Sequence, residues 1–154
     1  MINANNENQI AMKTSNNGIE FIKRHEGLRL NAYKCTSGKP TIGYGHTKGV
    51  KIGQTITKEE AERLLREDLI VAENEINSHN LNLNQNQFDA LVSFVFNVGI
   101  GNFQTSTLLK KIKLDPNNKS IENEFKRWIY SSGKVSLGLI KRRKGEAELY
   151  FMKN

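Results

Sequence analysis

Ile19-Glu20-Phe21-Ile22-Lys23-Arg24-His25-Glu26-Gly27-Leu28, with Thr41-Ile42-Gly43-Tyr44-Gly45-His46-Thr47 after it, is the stretch on which the fold turns. In the first run Ile19, Ile22 and Glu26 stand at i, i+3 and i+7. That spacing puts the Glu26 carboxylate on the apolar face of a short helix that Gly27 is suited to end. A charge on such a face forms an ion pair or does chemistry. From Leu28 to Thr47 the pattern becomes β-like, with Thr36-Ser37-Gly38-Lys39-Pro40 as turn residues between two strands. With Gly38 at the centre of the hairpin, Cys35 and Thr41 face each other directly, their Cβ atoms about 4.5 to 5.5 Å apart. Glu26, Cys35 and Thr41 therefore converge from a helix end and from both strands of one hairpin.

Outward from this stretch the chain is mostly helical. Residues 1–17 are Asn-rich, polar and without a period, and read as a loose tail. Thr57-Lys58-Glu59-Glu60 has the form of a capping box, and Ala61, Leu65, Leu69, Ala72 and Ile76 then continue at helical spacing. Asn84-Gln85-Asn86-Gln87 caps a helix, Phe88 to Phe96, that is apolar almost all round and so belongs in the middle of a core. Three further helices are expected, over about 106–114, 119–130 and 139–152. The expected class is α+β: a small helix-plus-hairpin lobe over about 18–57, a long joining helix over about 58–78, and a helical lobe over about 79–154.

The chain of 154 residues is the size of one domain, and its net charge of +7 points to a polyanionic partner. Lys141-Arg142-Arg143-Lys144 is the one dense basic cluster and reads by itself as a solvated helix face. No aromatic run interleaves with it, so nucleic acid is not expected as a partner. Cys35 is the single cysteine, which excludes an internal disulfide, and the histidines show no metal-ligand spacing. No cofactor or metal is implied. The first residues lack a basic start followed by an apolar run, and no stretch is long and apolar enough for stable membrane insertion.

Glycoside cleavage needs a protonated acid on one side of the bond and a base or nucleophile on the other. A carboxyl on an apolar helix face suits the first role, because desolvation disfavours its ionised form. Each residue also has a plainer role: an ion pair for Glu26, a small buried hydrophobe for Cys35, a strand residue for Thr41. Two rival functions stay open at this point. One is a cysteine amidase using Cys35 with His46; the other is a non-catalytic glycan or nucleic-acid binder.

The run from Ile19 to Leu28, then Ala32-Tyr33, Cys35, Gly38 and Thr41 to Thr47, resembles the phage-type lysozymes, the endolysins of glycoside hydrolase family 24. That family is similar in having a Glu, Asp or Cys, Thr triad at the same nine-and-six spacing. The likeness continues through Ile56 to Glu62, Phe94 to Gly99 and Gly138 to Arg143 with Glu146 and Leu149. It implies a lysozyme-like fold and hydrolysis of the β-1,4 bond between N-acetylmuramic acid and N-acetylglucosamine in peptidoglycan. Glu26 would be the general acid and Thr41 would hold the attacking water. Cys35 would stand where most members have aspartate, as base or as nucleophile, two roles with opposite anomeric outcomes.

A thiol near its ordinary pKa is only slightly ionised at neutral pH, so Arg142 or Arg143 is expected to help it. Tyr44, His46, Phe96, Ser106 and Arg142 are the expected substrate-binding residues, with a pairing of His46 to Asp68 as its structural alternative. The resemblance also implies a monomer that waits in the host cytoplasm and depends on a holin to reach the wall.

Overall fold

The computed structural model describes residues 10–153. The first helix, α1 (Asn16–Glu26), starts two residues before the expected Gly18, because Ser15 caps it with a side chain that accepts from Gly18 N. Residues 1–9 of the expected tail lie outside the described residues, and residues 12–15 are not loose. Asn77 clamps the Met12 backbone at both N and O, at 3.0 and 2.9 Å. Glu73 accepts from both the amide and the hydroxyl of Thr14. Asp89, fully buried, accepts from the amide and hydroxyl of Ser15 and from Gln85 Nε2. Polar residues that look featureless in sequence thus spend their hydrogen bonds on two other helices. Gly18 is required by the same docking: a Cβ there would stand 2.7 Å from Asp89 Cγ.

After Gly27 come β1 (Arg29–Lys34) and β2 (Pro40–Gly43), paired antiparallel with Tyr33 opposite Thr41 and Lys34 opposite Pro40. Cys35 N donates to Lys39 O, so the turn is centred on Ser37, one residue before the expected Gly38. Cys35 consequently lies diagonal to Thr41 rather than directly opposite. A one-residue displacement of the turn centre shifts the pairing by two, so both side chains keep to one face of the hairpin.

The long helix α2 (Lys58–Ser78) is capped by Thr57, which accepts from Glu60 N, and buries the expected stripe from Ala61 to Ile76. Helix α3 (Gln85–Val98) carries a complete capping box between Asn84 and Gln87 and is buried without a break from Gln87 to Val95. At its centre Phe94 meets Phe103, Phe125 and Trp128 edge-on. Around it stand α4 (Ile100–Gln104), α5 (Thr107–Leu114), α6 (Ile121–Lys126) and α7 (Leu137–Phe151).

Sequence periodicity misses α4, and it runs α6 on to Tyr130, where the chain in fact forms a small hairpin of β3 (Tyr130–Ser131) and β4 (Lys134–Val135). The turn residues Ser132 and Gly133 both take positive φ, which no helix tolerates. Helix α3 packs against α1, α2 and α7. It is therefore the scaffold from which the ends of the other helices are hung.

Candidate active site

Glu26 is the last residue of α1, and its side chain is 19% exposed. Its Oε1 accepts from Arg142 Nη1 at 2.6 Å. Its Oε2 lies 3.3 Å from where a Cβ would stand at Gly45, whose φ of +88° also favours glycine. One carboxyl oxygen is therefore held, and the other faces bare backbone just after β2. The ion pair expected as the plainer role of Glu26 exists, but it occupies only half of the carboxylate.

Arg142 is not on a solvated face. It is 5% exposed, and besides Glu26 it donates to Glu146 Oε2 and to Ser93 O. Arg143, fully buried, donates to Glu146 Oε1, Asn97 Oδ1 and Trp128 O, with its guanidinium 5.1 Å from the centre of the Phe94 ring. Glu146 itself is fully buried and takes a further hydrogen bond from Ser93 Oγ at 2.6 Å. Burial pushes the Glu146 carboxyl up, and the two guanidinium groups and the serine hydroxyl oppose that push.

The basic cluster splits into exposed Lys141 and Lys144 and buried Arg142 and Arg143. Glu146 at i+4 and i+3 from the two arginines was the signal in the sequence. It identifies an internal network where charge density alone suggests a surface.

Cys35 is partly exposed, and its sulfur lies 3.0 Å from Ser37 Oγ. Hydrogen bonds from the Ser37 hydroxyl first, then from the Ser37 backbone and the Thr41 hydroxyl, lower the thiol to about 7. The expected help from Arg142 or Arg143 is not what does this. Both arginines are engaged elsewhere, and the hairpin turn itself stabilises the thiolate. Thr41 is buried, and its hydroxyl also reaches Lys39 O at 3.0 Å. Ser37, not singled out in the sequence, is thus the main neighbour of the reactive sulfur; only the turn geometry reveals it.

The expected substrate-binding residues divide. His46 has both ring nitrogens occupied, Nδ1 by Asp68 at 2.8 Å and Nε2 by Lys48 O at 2.9 Å, which is the structural alternative. It is thereby unavailable to Cys35, and the amidase reading loses its base. Tyr44 is 5% exposed, with the Lys23 ammonium 5.7 Å from its ring centre. Phe96 is half-buried against the core. Ser106 caps α5, and it lines a groove of about 910 Å³ together with Asn97, Val98, Trp128, Tyr130 and Leu139. His25 packs on Phe21 with ring centres 4.6 Å apart. Burial and the nearby Arg142 charge lower it to about 4.

The chain thus holds an acidic side chain at a helix end, a thiol and a threonine on one face of a hairpin, and a groove lined only by residues between 97 and 139. Comparison with known proteins settles its class. The sequence matches the family model for phage lysozyme over residues 23–146. The chain belongs to the phage lysozyme family.

It is a glycoside hydrolase with a lysozyme-like fold, and it cleaves peptidoglycan. Among its relatives is the endolysin of Acyrthosiphon pisum secondary endosymbiont phage 1, 45% identical over 146 residues, which cover 90% of this chain and 98% of that one. A SAR-endolysin of Bacteriophage PS119 is 41% identical over 126 residues, covering 80% of this chain and 75% of that one. The solved endolysin from Escherichia coli O157:H7 phage FAHEc1 superposes with a TM-score of 0.85 at 38% identity, over 94% of this chain and 96% of that one.

Proposed function

We propose that the chain hydrolyses the β-1,4 bond between N-acetylmuramic acid and N-acetylglucosamine, with Glu26, Cys35 and Thr41 as its catalytic residues. The observation that carries this reading is the divided carboxyl of Glu26. Arg142 fixes Oε1, and Oε2, facing the unobstructed backbone at Gly45, is the oxygen that delivers a proton to the departing sugar. Cys35 acts on the other side of the bond, as base for a water held by Thr41 or as nucleophile. The anomer formed first distinguishes the two. The test of the whole reading is the product released from purified peptidoglycan. Reducing ends without new free amines are expected, and amines without reducing ends would overturn it in favour of an amidase.

Because the thiol of Cys35 is lowered to about 7, its thiolate fraction rises steeply between about pH 6 and 8. The expected kcat/KM profile climbs with pH across that window. Cys35→Asp is expected to keep much of the activity and to lose this limb, because an aspartate is already ionised well below pH 6. Cys35→Ala is expected to lose nearly all activity; high turnover by the alanine variant would remove Cys35 from the mechanism.

Between residues 18 and 57 the chain carries Lys23, Arg24, Arg29, Lys34, Lys39, Lys48 and Lys51, while its only acids there, Glu20 and Glu26, are both ion-paired. This lobe steers the enzyme onto an anionic wall, so lysis is expected to slow several-fold from about 50 to 500 mM salt. A rate that rises steadily over that range would contradict steering.

For its route to the wall we propose a monomer that accumulates in the host cytoplasm and is released by a holin. Relatives named SAR-endolysins make release without a holin the alternative to test. Lysis of cells expressing the chain with and without a holin separates the two.

A further inference from the structure

The buried arginine network ends on the wall of the groove, at Asn97. Arg143 has no freedom to move. Its guanidinium is fully buried, bonded to Glu146 and Trp128 O, and stacked against Phe94. A guanidinium can only donate, so the prong of the Asn97 carboxamide that meets Arg143 must be Oδ1. The other prong, Nδ2, is thereby turned away, and no hydrogen bond joins it to an acceptor among the described residues. Asn97 is exposed and lines the groove.

Two other polar groups of the groove are already engaged. The Ser106 hydroxyl donates to Phe103 O and accepts from Leu109 N. Asn102 Nδ2 donates to Val98 O. Val98, Leu139 and the Trp128 ring contribute apolar surface to the same groove. A fixed amide donor in a groove with apolar surface matches a group that carries a carbonyl oxygen and a methyl on one carbon.

We propose that Asn97 Nδ2 recognises the carbonyl of an acetamido group on the glycan, with the Glu146–Arg143 pair holding the carboxamide in the orientation that does so. The proposal rests on the reading of the substrate as an N-acetylated glycan, and it adds the residue that selects for acetylation. Asn97→Asp is the discriminating variant. An aspartate still accepts from Arg143, but it turns an acceptor, not a donor, towards the groove.

The experiment is an NMR or calorimetric titration with tri-N-acetylchitotriose and with cellotriose, a neutral analogue with hydroxyls in place of the acetamido groups. Activity and thermal unfolding are measured on the same proteins. The wild type is expected to prefer the acetylated sugar by about tenfold or more, the worth of one lost hydrogen bond at a desolvated site. Asn97→Asp is expected to lose the preference and to raise KM about tenfold, with its melting temperature no lower. Asn97→Ala is expected to lose the preference too. Equal affinity of the wild type for the two sugars, no affinity for either, or an unchanged preference in Asn97→Asp would overturn the proposal. Acetamido selection lost with Asn97 in a protein that releases no reducing ends would leave recognition standing and remove the hydrolytic reading. Reducing ends without acetamido selection would do the reverse.

Discussion

Glu26→Gln is expected to lower kcat on peptidoglycan by about two to four orders of magnitude, the usual contribution of a positioned acid, while leaving KM nearly unchanged. The substitution is close to isosteric, and the chemistry of its surroundings fixes the outcome. Arg142 can only donate, so the oxygen of the new carboxamide will turn to Arg142 and keep the contact that Glu26 now makes at 2.6 Å. The amide nitrogen then takes the place of Oε2 beside Gly45, where it has no transferable proton to give a leaving oxygen. In free energy the loss is about 3 to 5 kcal/mol of barrier. The measurement is initial-rate release of reducing ends over a range of substrate concentrations, with melting curves to show that the fold is kept. A variant retaining more than a tenth of the wild-type rate would mean that Glu26 is only the partner of an ion pair.

Glu146→Gln is expected to lower stability by about 3 to 5 kcal/mol, the usual effect of removing one member of a buried ion pair. In a domain of this size that shifts the melting temperature by roughly 10 °C. As the structure stands, Arg142 and Arg143 face two carboxylates, Glu26 and Glu146. Neutralising Glu146 leaves two buried guanidinium groups against one carboxylate on the rim of the cleft. The amide NH2 of glutamine also meets donors on two sides and can satisfy only one of its contacts without reorientation. Activity falls as well, because Arg142 loses the anchor that aims it at Glu26. Urea unfolding at neutral pH gives the stability change directly. A melting temperature within about 2 °C of wild type would show that the network is not what joins α7 to α3.

The two variants separate chemistry from scaffold. Glu26 sits at the margin of the network and should affect rate far more than folding. Glu146 sits at its centre and should affect folding first. Helix α1 is held at its other end by Asp89, which takes both donors of Ser15, so the acid is placed by anchors at opposite ends of one short helix.

Much of the fold was legible because periodicity reports burial. The stripes of α1 and α2, the all-round apolar character of α3 and the caps at Thr57 and Asn84 are local signals, and the structure follows them closely. The unusual placement of the Glu26 carboxylate was legible for the same reason: a carboxylate on an apolar stripe violates the pattern. The hairpin was legible to within one residue of its turn centre. That error preserved the face shared by Cys35 and Thr41, because pairing shifts come in steps of two.

By itself, then, the sequence determined the longer helices and the first hairpin, though not α4 or the β3–β4 hairpin, and which residue types could do the chemistry, since these depend on side-chain order along the chain. Only the tertiary structure decided which charges are inside. Arg142 and Arg143 lie more than a hundred residues from Glu26 in sequence, and a run of four cations looks the same whether it faces water or a buried glutamate. It likewise decided that Ser37, rather than an arginine, tunes Cys35, that Asp68 claims His46, and that Thr14 and Ser15 dock on α2 and α3. Each of these depends on a polar group finding a partner from a distant segment, and the buried environment that makes the pairing decisive exists only after the chain has folded.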